Sequence, residues 1–186
     1  MSHRLDPLSA LDRAEPVVIV PYDAAWPATF AQLCARLEPV IGDLAAGIEH
    51  VGSTAVPGLA SKPVIDLDVV LRRARDVPQA IERLEAVGYV HLGDLGIAER
   101  AAFRAPPGSP RHHLYVVPAG AAALQAHLRL RDELRADSAL AQAYADLKHA
   151  LAEQYRDNRD AYAEGKTAFI TGVLSQKAGQ RRARRK

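Results

Sequence analysis

The run Val64 to Leu71, VIDLDVVL, is the stretch that most narrows the fold. Eight residues behind Pro63, six of them apolar and four β-branched, read as a strand buried on both faces, as central strands of a sheet are. Two aspartates interrupt it. Side chains alternate across a strand, so Ile65, Leu67 and Val69 share one face while Asp66, Asp68 and Val70 share the other. Two carboxylates side by side in a buried strand repel each other and are costly unless a cation meets them. A hard divalent cation, Mg2+ or Mn2+, takes oxygen ligands of this kind and bridges to substrate phosphates.

The residues before the strand supply the complementary half. His50-Val51-Gly52-Ser53-Thr54 closes a short apolar run, and Pro57-Gly58 marks a turn before Lys62-Pro63. Glycine lets backbone approach a phosphate closely, and free amides at a helix start favour an anion. Ser53 and Thr54 serve that reading, or they simply cap a helical turn. Lys62, held extended by the following proline, reaches a phosphate or Asp66, or is a solvated lysine holding the loop by a surface pair worth little. His50 shares a strand face with Gly52 and either looks into the site or is a hydrogen-bonded structural histidine.

Upstream, Val17 to Val20 reads as a strand and about Pro27 to Asp43 as a helix introduced by Asp23. Phe30, Leu33, Cys34 and Leu37 form its apolar face, and Pro39 is expected to kink or restart it. Cys34 reads as a core thiol. Downstream, Val77 to Val87 reads as a helix ended by Gly88. Tyr89 to Leu92, Ala101 to Ala105 and His112 to Val117 read as strands. From about residue 121 the pattern is purely helical, in three segments divided at Asp137-Ser138 and Asp157-Asn158. This order predicts an α+β (α/β-like) fold, a mixed sheet followed by C-terminal helices. The expected organisation is a loose leader over 1–16, one domain over 17–178, and a solvated basic tail over 179–186.

Charge and composition exclude some classes. Formal net charge is +2 over 186 residues, yet five of the 24 Lys and Arg lie in the last six, RRARRK. The remainder carries 19 positive against 22 negative charges, which argues against a protein built to coat nucleic acid. No apolar run approaches the roughly 20 residues needed to cross a bilayer, and no signal-peptide pattern opens the chain. One cysteine excludes an internal disulfide and suits the cytoplasm.

Gly-Ser followed by Asp-x-Asp on the next strand resembles the core signature of the nucleotidyltransferase superfamily. The wider wording, EHVGSTAVPGLASKPVIDLDVVL, with HHLYVV, LRLRDELRADSALAQAYADLKHAL and AYAEGKTAFI, resembles the GrpB family of that superfamily over roughly Val17 to Val173. The resemblance implies a nucleotidyltransferase-like fold and Mg2+ (or Mn2+) on Asp66 and Asp68. It also implies a nucleoside triphosphate, or another phosphorylated small molecule, over Gly52-Ser53. An acceptor would attack the α-phosphorus and pyrophosphate would leave. Relatives carry an arginine–aspartate phrase at Arg131-Asp132, tyrosine and lysine at Tyr144 and Lys148, and a lysine at Lys166. These either close over the phosphates or, for Arg131 and Asp132, pair structurally. Relatives often carry a second histidine on the strand of His113, where this chain has Tyr115; both residues face one way and are expected to line the pocket.

A third carboxylate is expected for two-metal transfer, but neither face of His112 to Val117 carries an acid. Asp94, Glu99 and Asp132 are the nearest substitutes, and His113 is the alternative base. The second functional reading is therefore a nucleotide-binding module without turnover, a helper to a kinase or another protein partner. Family members occur fused to dephospho-coenzyme A kinase, and no Gly-x4-Gly-Lys-Ser/Thr motif is present here to make this chain the kinase.

Overall fold

The computed structural model describes residues 16–176; the expected leader up to residue 15 and the basic tail lie outside the described residues. Five strands form one mixed sheet: β1 (Ala45–Val51), β2 (Ile65–Leu71), β3 (Val90–His91), β4 (Ala101–Arg104) and β5 (His112–Pro118), in the order β1-β2-β5-β4-β3. β2 runs parallel to β5 and antiparallel to β1, and β4 is antiparallel to both its neighbours. The helices are α1 (Trp26–Ile41), α2 (Val77–Ala86), α3 (Ala122–Ala136), α4 (Ser138–Gln154), α5 (Arg159–Gly165) and α6 (Thr167–Ser175).

The alternation read from β2 places its two faces in two environments. Ile65, Leu67, Val69 and Leu71 join Leu114, Val116 and Phe103 beneath α1 and α2, through Leu33, Leu37, Ile41, Ala80 and Leu84. Each such fully buried aliphatic side chain contributes about 1.5–3 kcal/mol. Asp66, Asp68 and Val70 face the helical half, where Val70 and Val117 pack against Leu124 and Leu128 of α3. One face of the sheet is thus the core, and the other is core at one end and polar at the other.

Four expectations about elements change. Val17 to Val20 forms no strand: only Val20 bridges, to Ser61, in an antiparallel pair of backbone hydrogen bonds of 2.9 Å each. Val17 instead donates to the Arg156 carbonyl at 2.7 Å, so the segment is shared between two neighbours rather than laddered to one. Pro39 lies inside α1, which does not restart; its missing amide falls near the helix end, only two residues before Ile41. Cys34 is half-buried and lies outside the core, with burial raising its thiol pKa and Glu38 adding to the shift. The last helix is two, because α5 ends at Gly165, where a β-carbon would lie 2.5 Å from Leu151 Cδ2. The punctuation at Asp137 and Asn158 holds: each side chain accepts an amide of its helix's first turn, from Leu140 and Ala161, at 3.0 Å.

Candidate functional site

Gly52 ends β1 at φ +70°, and a β-carbon there would stand 2.1 Å from Asp66 Oδ2. No other residue type lets the backbone pass so close to that carboxylate. The chain then makes a single 3-10 turn over Ser53–Ala55 and opens a cavity of about 240 Å3. On the sheet side it is lined by Gly52, Ser53, Asp66, His113 and Tyr115, and on the other by Lys62, His127, Tyr144, Lys148, Tyr162 and Lys166.

Each aspartate has a histidine. His113 Nδ1 donates to Asp66 Oδ1 at 2.8 Å and His127 Nδ1 donates to Asp68 Oδ2 at 2.7 Å. In the neutral rings this fixes the proton on Nδ1 and leaves Nε2 as the basic nitrogen. Burial opposes the charge on Asp66, but the His113 hydrogen bond and the charges of His113, Lys62 and His127 outweigh it and hold its pKa below the usual carboxylate value. Burial likewise disfavours a charged His127, yet its bond to Asp68 and the charges of Asp68 and Asp66 raise its pKa.

The carboxylates differ in depth. Asp66 keeps 28% of its side chain exposed and lines the cavity; Asp68 is 0% exposed beneath it. Asp68 Oδ1 is buried with no hydrogen-bond partner, a condition costing about 1–3 kcal/mol or more for a charged group. Among the described residues no three His, Cys, Asp or Glu side chains are grouped to hold a metal ion. A cation here would have two carboxylates to draw on, with other oxygens from water or phosphate. That donor set fits Mg2+, which commonly binds through one or two carboxylates plus substrate phosphates.

The opposite wall is cationic and aromatic. Lys148 is 2% exposed; its Nζ donates to the Ala60 carbonyl and lies 4.8 Å from the Tyr144 ring centroid. Burial, with help from the charge of Lys166, lowers its pKa to about 7. Lys62 and Lys166 approach the Tyr162 ring at 5.6 and 4.5 Å. The Tyr144 phenol, hydrogen-bonded to Ser53, is pushed up by burial. Lys166 sits at the junction of α5 and α6, four residues after Tyr162 and four before Ile170, and all three line the cavity.

Of the expected site residues, Gly52, Ser53, Lys62, Asp66, His113, Tyr115, Lys148 and Lys166 are brought to the cavity. His50, Thr54 and Arg131 are not in its lining, and Asp68 lies behind it. His50 stacks on Phe30 with centroids 4.6 Å apart and donates through Nε2 to Thr54 Oγ1 at 3.1 Å, which in turn donates to the Val64 carbonyl. Burial first, then Arg135 and Arg131 against the opposing pull of Asp66, leave the His50 pKa at about 4, so the ring is neutral. Arg131 bonds Glu49 and Asp132, both at 2.8 Å, and the His50 carbonyl. Asp94 accepts from the Gly96 amide, and Glu99 and Asp132 are exposed. None of these three acids lines the cavity.

His127 was not among the expected site residues. It falls three residues after Leu124 and one before Leu128, within the apolar stripe of α3, and a histidine in such a stripe needs a buried partner. Tyr162 and Arg100 carried no comparable signal. Arg100 lies over the Tyr115 ring at 4.5 Å, with its Nε buried and unpartnered.

The GrpB protein family profile matches residues 16–176. The chain belongs to the GrpB family. UPF0157 protein YqkA of Bacillus subtilis is 37% identical over 154 residues, covering 83% of this chain but only 45% of YqkA's length. Conserved protein GrpB of Enterococcus faecalis superposes with a TM-score of 0.76 at 31% identity, covering 84% of this chain and 94% of that one. Cid1, described as having RNA terminal uridylyl transferase activity, shares the fold at a TM-score of 0.52 and 14% identity, over 81% of this chain and 45% of Cid1. This GrpB chain thus has the nucleotidyltransferase-like fold expected from the Gly-Ser and Asp-x-Asp wording. Over 80 residues it is also 39% identical to dephospho-CoA kinase of Mycolicibacterium paratuberculosis, 20% of that protein. Among the described residues no helix is long and apolar enough to cross a membrane.

Proposed function

We propose that this cavity binds a nucleoside triphosphate together with Mg2+ (or Mn2+). The observation that carries the reading is the unpartnered, buried Oδ1 of Asp68 behind the cavity-lining Asp66. Asp66 and Asp68 would hold the cation, which when bound supplies positive charge to phosphate oxygens. Lys62, Lys148 and Lys166 would meet the remaining phosphate charge, and Ser53 and the Gly52 backbone would bound it from the sheet side. Tyr115, Tyr144 and Tyr162 give the cavity its aromatic surface. His113, held by Asp66 through Nδ1, offers Nε2 as a base for an acceptor's proton.

A second reading, binding without transfer, is favoured by one observation: among the described residues Asp66 is the one carboxylate that lines the cavity. Such a module would serve a partner, and the partial likeness to dephospho-CoA kinase makes a kinase the first candidate. The test is a screen of the four nucleoside triphosphates with Mg2+, read by calorimetry for binding and by released pyrophosphate for turnover. Binding lost in Asp66→Asn and Asp68→Asn upholds the site, and no binding of any nucleotide by the wild type overturns it. Sustained pyrophosphate release that vanishes in His113→Ala selects transfer over simple binding.

A further inference from the structure

The polar face of the sheet continues past the cavity. Cross-strand partners in register share a face, and Asp66 stands opposite His113, which stands opposite Arg104 on β4. Arg104 therefore extends the Asp66–His113 row by one strand. A second cavity of about 270 Å3 opens there, and His113 and Val64 line both cavities.

The chemistry of this second cavity differs from the first. Arg104 and Arg111 line it, and among the described residues no aspartate or glutamate does. The remaining wall is the turn from Ala105 to Pro110, and it is stiff. Pro106, Pro107 and Pro110 fix their own φ, Gly108 reverses the chain at φ +78°, and the Ser109 amide donates to the Pro106 carbonyl at 3.2 Å. His112, on the opposite face from His113, ties the turn down: Nδ1 donates to the Pro110 carbonyl at 2.7 Å and Nε2 accepts from the Tyr89 hydroxyl at 2.9 Å. Burial lowers the His112 pKa, which keeps the ring in this neutral donor–acceptor form. The Arg111 carbonyl accepts from Ile65 at 3.1 Å, fixing the turn to the start of β2.

We infer that this second cavity is a binding site for a small phosphorylated molecule, the companion ligand of the nucleotide, held by Arg104 and Arg111 against the proline-rich turn. Guanidinium groups suit phosphate because their planar donors match its oxygens. The shared His113 places the companion beside Asp66, which is where a second substrate of a nucleotide-dependent reaction belongs. The cavity is too small and the body too acidic for a nucleic-acid track. As the seat of a second substrate this rests on the nucleotide reading; as an anion site it does not.

The test uses the 15N-labelled full chain with Mg2+ and the best-binding triphosphate from the screen, or Mg2+ alone if none binds, titrated with glycerol 3-phosphate. Saturable amide shifts at Gly108, Ser109 and Arg111 are expected, with the midpoint weakened at least tenfold in Arg104→Gln/Arg111→Gln. Both arginines are exposed, and an unchanged melting temperature confirms that the double variant folds. Shifts confined to Gly52–Ala55 and the lysine wall, or equal midpoints in wild type and double variant, overturn the site. Shifts at the turn in a protein that binds no nucleotide uphold the anion site and sink the nucleotide reading. Nucleotide binding without shifts at the turn sinks the anion site alone.

Discussion

The cavity has two walls of opposite charge, built by different means. The sheet wall carries Asp66, with Asp68 behind it, in a register set by backbone ladders to β1 and β5. The helical wall carries Lys148 and Lys166, joined by Lys62 from the loop before β2, and all three are held by tyrosine rings and one backbone carbonyl. The His113 hydrogen bond and neighbouring charges hold the Asp66 pKa below the usual carboxylate value, whereas burial brings that of Lys148 down to about 7. Asp66 is thus charged before a ligand arrives, while a phosphate bound beside Lys148 would complete its protonation.

The sharpest break of that contrast is on the sheet side. Asp66→Asn/Asp68→Asn should weaken Mg2+–nucleotide binding at least 100-fold by calorimetry while leaving the fold intact, because like-charge repulsion is removed. Unaltered cation binding in the double variant would place the metal elsewhere. Gly52→Ala strikes the same wall through the backbone. Its methyl meets Asp66 Oδ2 at 2.1 Å and φ is +70°, so a loss of roughly 2 kcal/mol in urea unfolding is expected, with the Asp66–His113 contact displaced.

On the helical side, Lys148→Met should weaken nucleotide binding about tenfold. Its effect on stability has a defined sign. The folded pKa of about 7 lies below the 10.5 of the free side chain, so the unfolded chain binds an extra proton between those values and wild-type stability rises with pH from 7 toward 10. The variant should lose that rise, worth a few kcal/mol at most. A parallel pH profile for wild type and variant would mean that Lys148 is charged in the empty protein. The smallest effect is expected outside both walls. His50, with a folded pKa near 4 against 6.5 free, makes wild-type stability fall as pH drops from 6.5 to 4. His50→Gln should flatten that decline by roughly 1–2 kcal/mol, with nucleotide binding at pH 7.5 unchanged. A tenfold loss of binding would return His50 to the site.

The two walls also differ in how far the sequence disclosed them. Period-two alternation in VIDLDVVL is a local property, so the shared face of Asp66 and Asp68 and the core face of Leu67 were both legible. The same rule set His113 and Tyr115 together. The helical wall depends on which turns of three helices converge, and no local period reports that. Lys148 and Tyr144 were visible as i, i+4 neighbours, but the convergence of their helix with the one that carries Tyr162 was not. His50 and Arg131 were left open between the site and a structural role, because their partners Phe30 and Glu49 are distant in sequence.

The loop between the two walls, residues 52–63, is anchored from outside at four of its residues. Arg135 donates twice to the Ala55 carbonyl, at 2.8 and 2.6 Å, Thr54 bonds the Val64 carbonyl, Lys148 takes Ala60, and Val20 pairs with Ser61. A loop so tethered has already lost most of its conformational entropy during folding. A ligand entering the cavity therefore spends little of its interaction energy on ordering the chain. Its association should resemble docking onto a finished surface more than the closing of a lid.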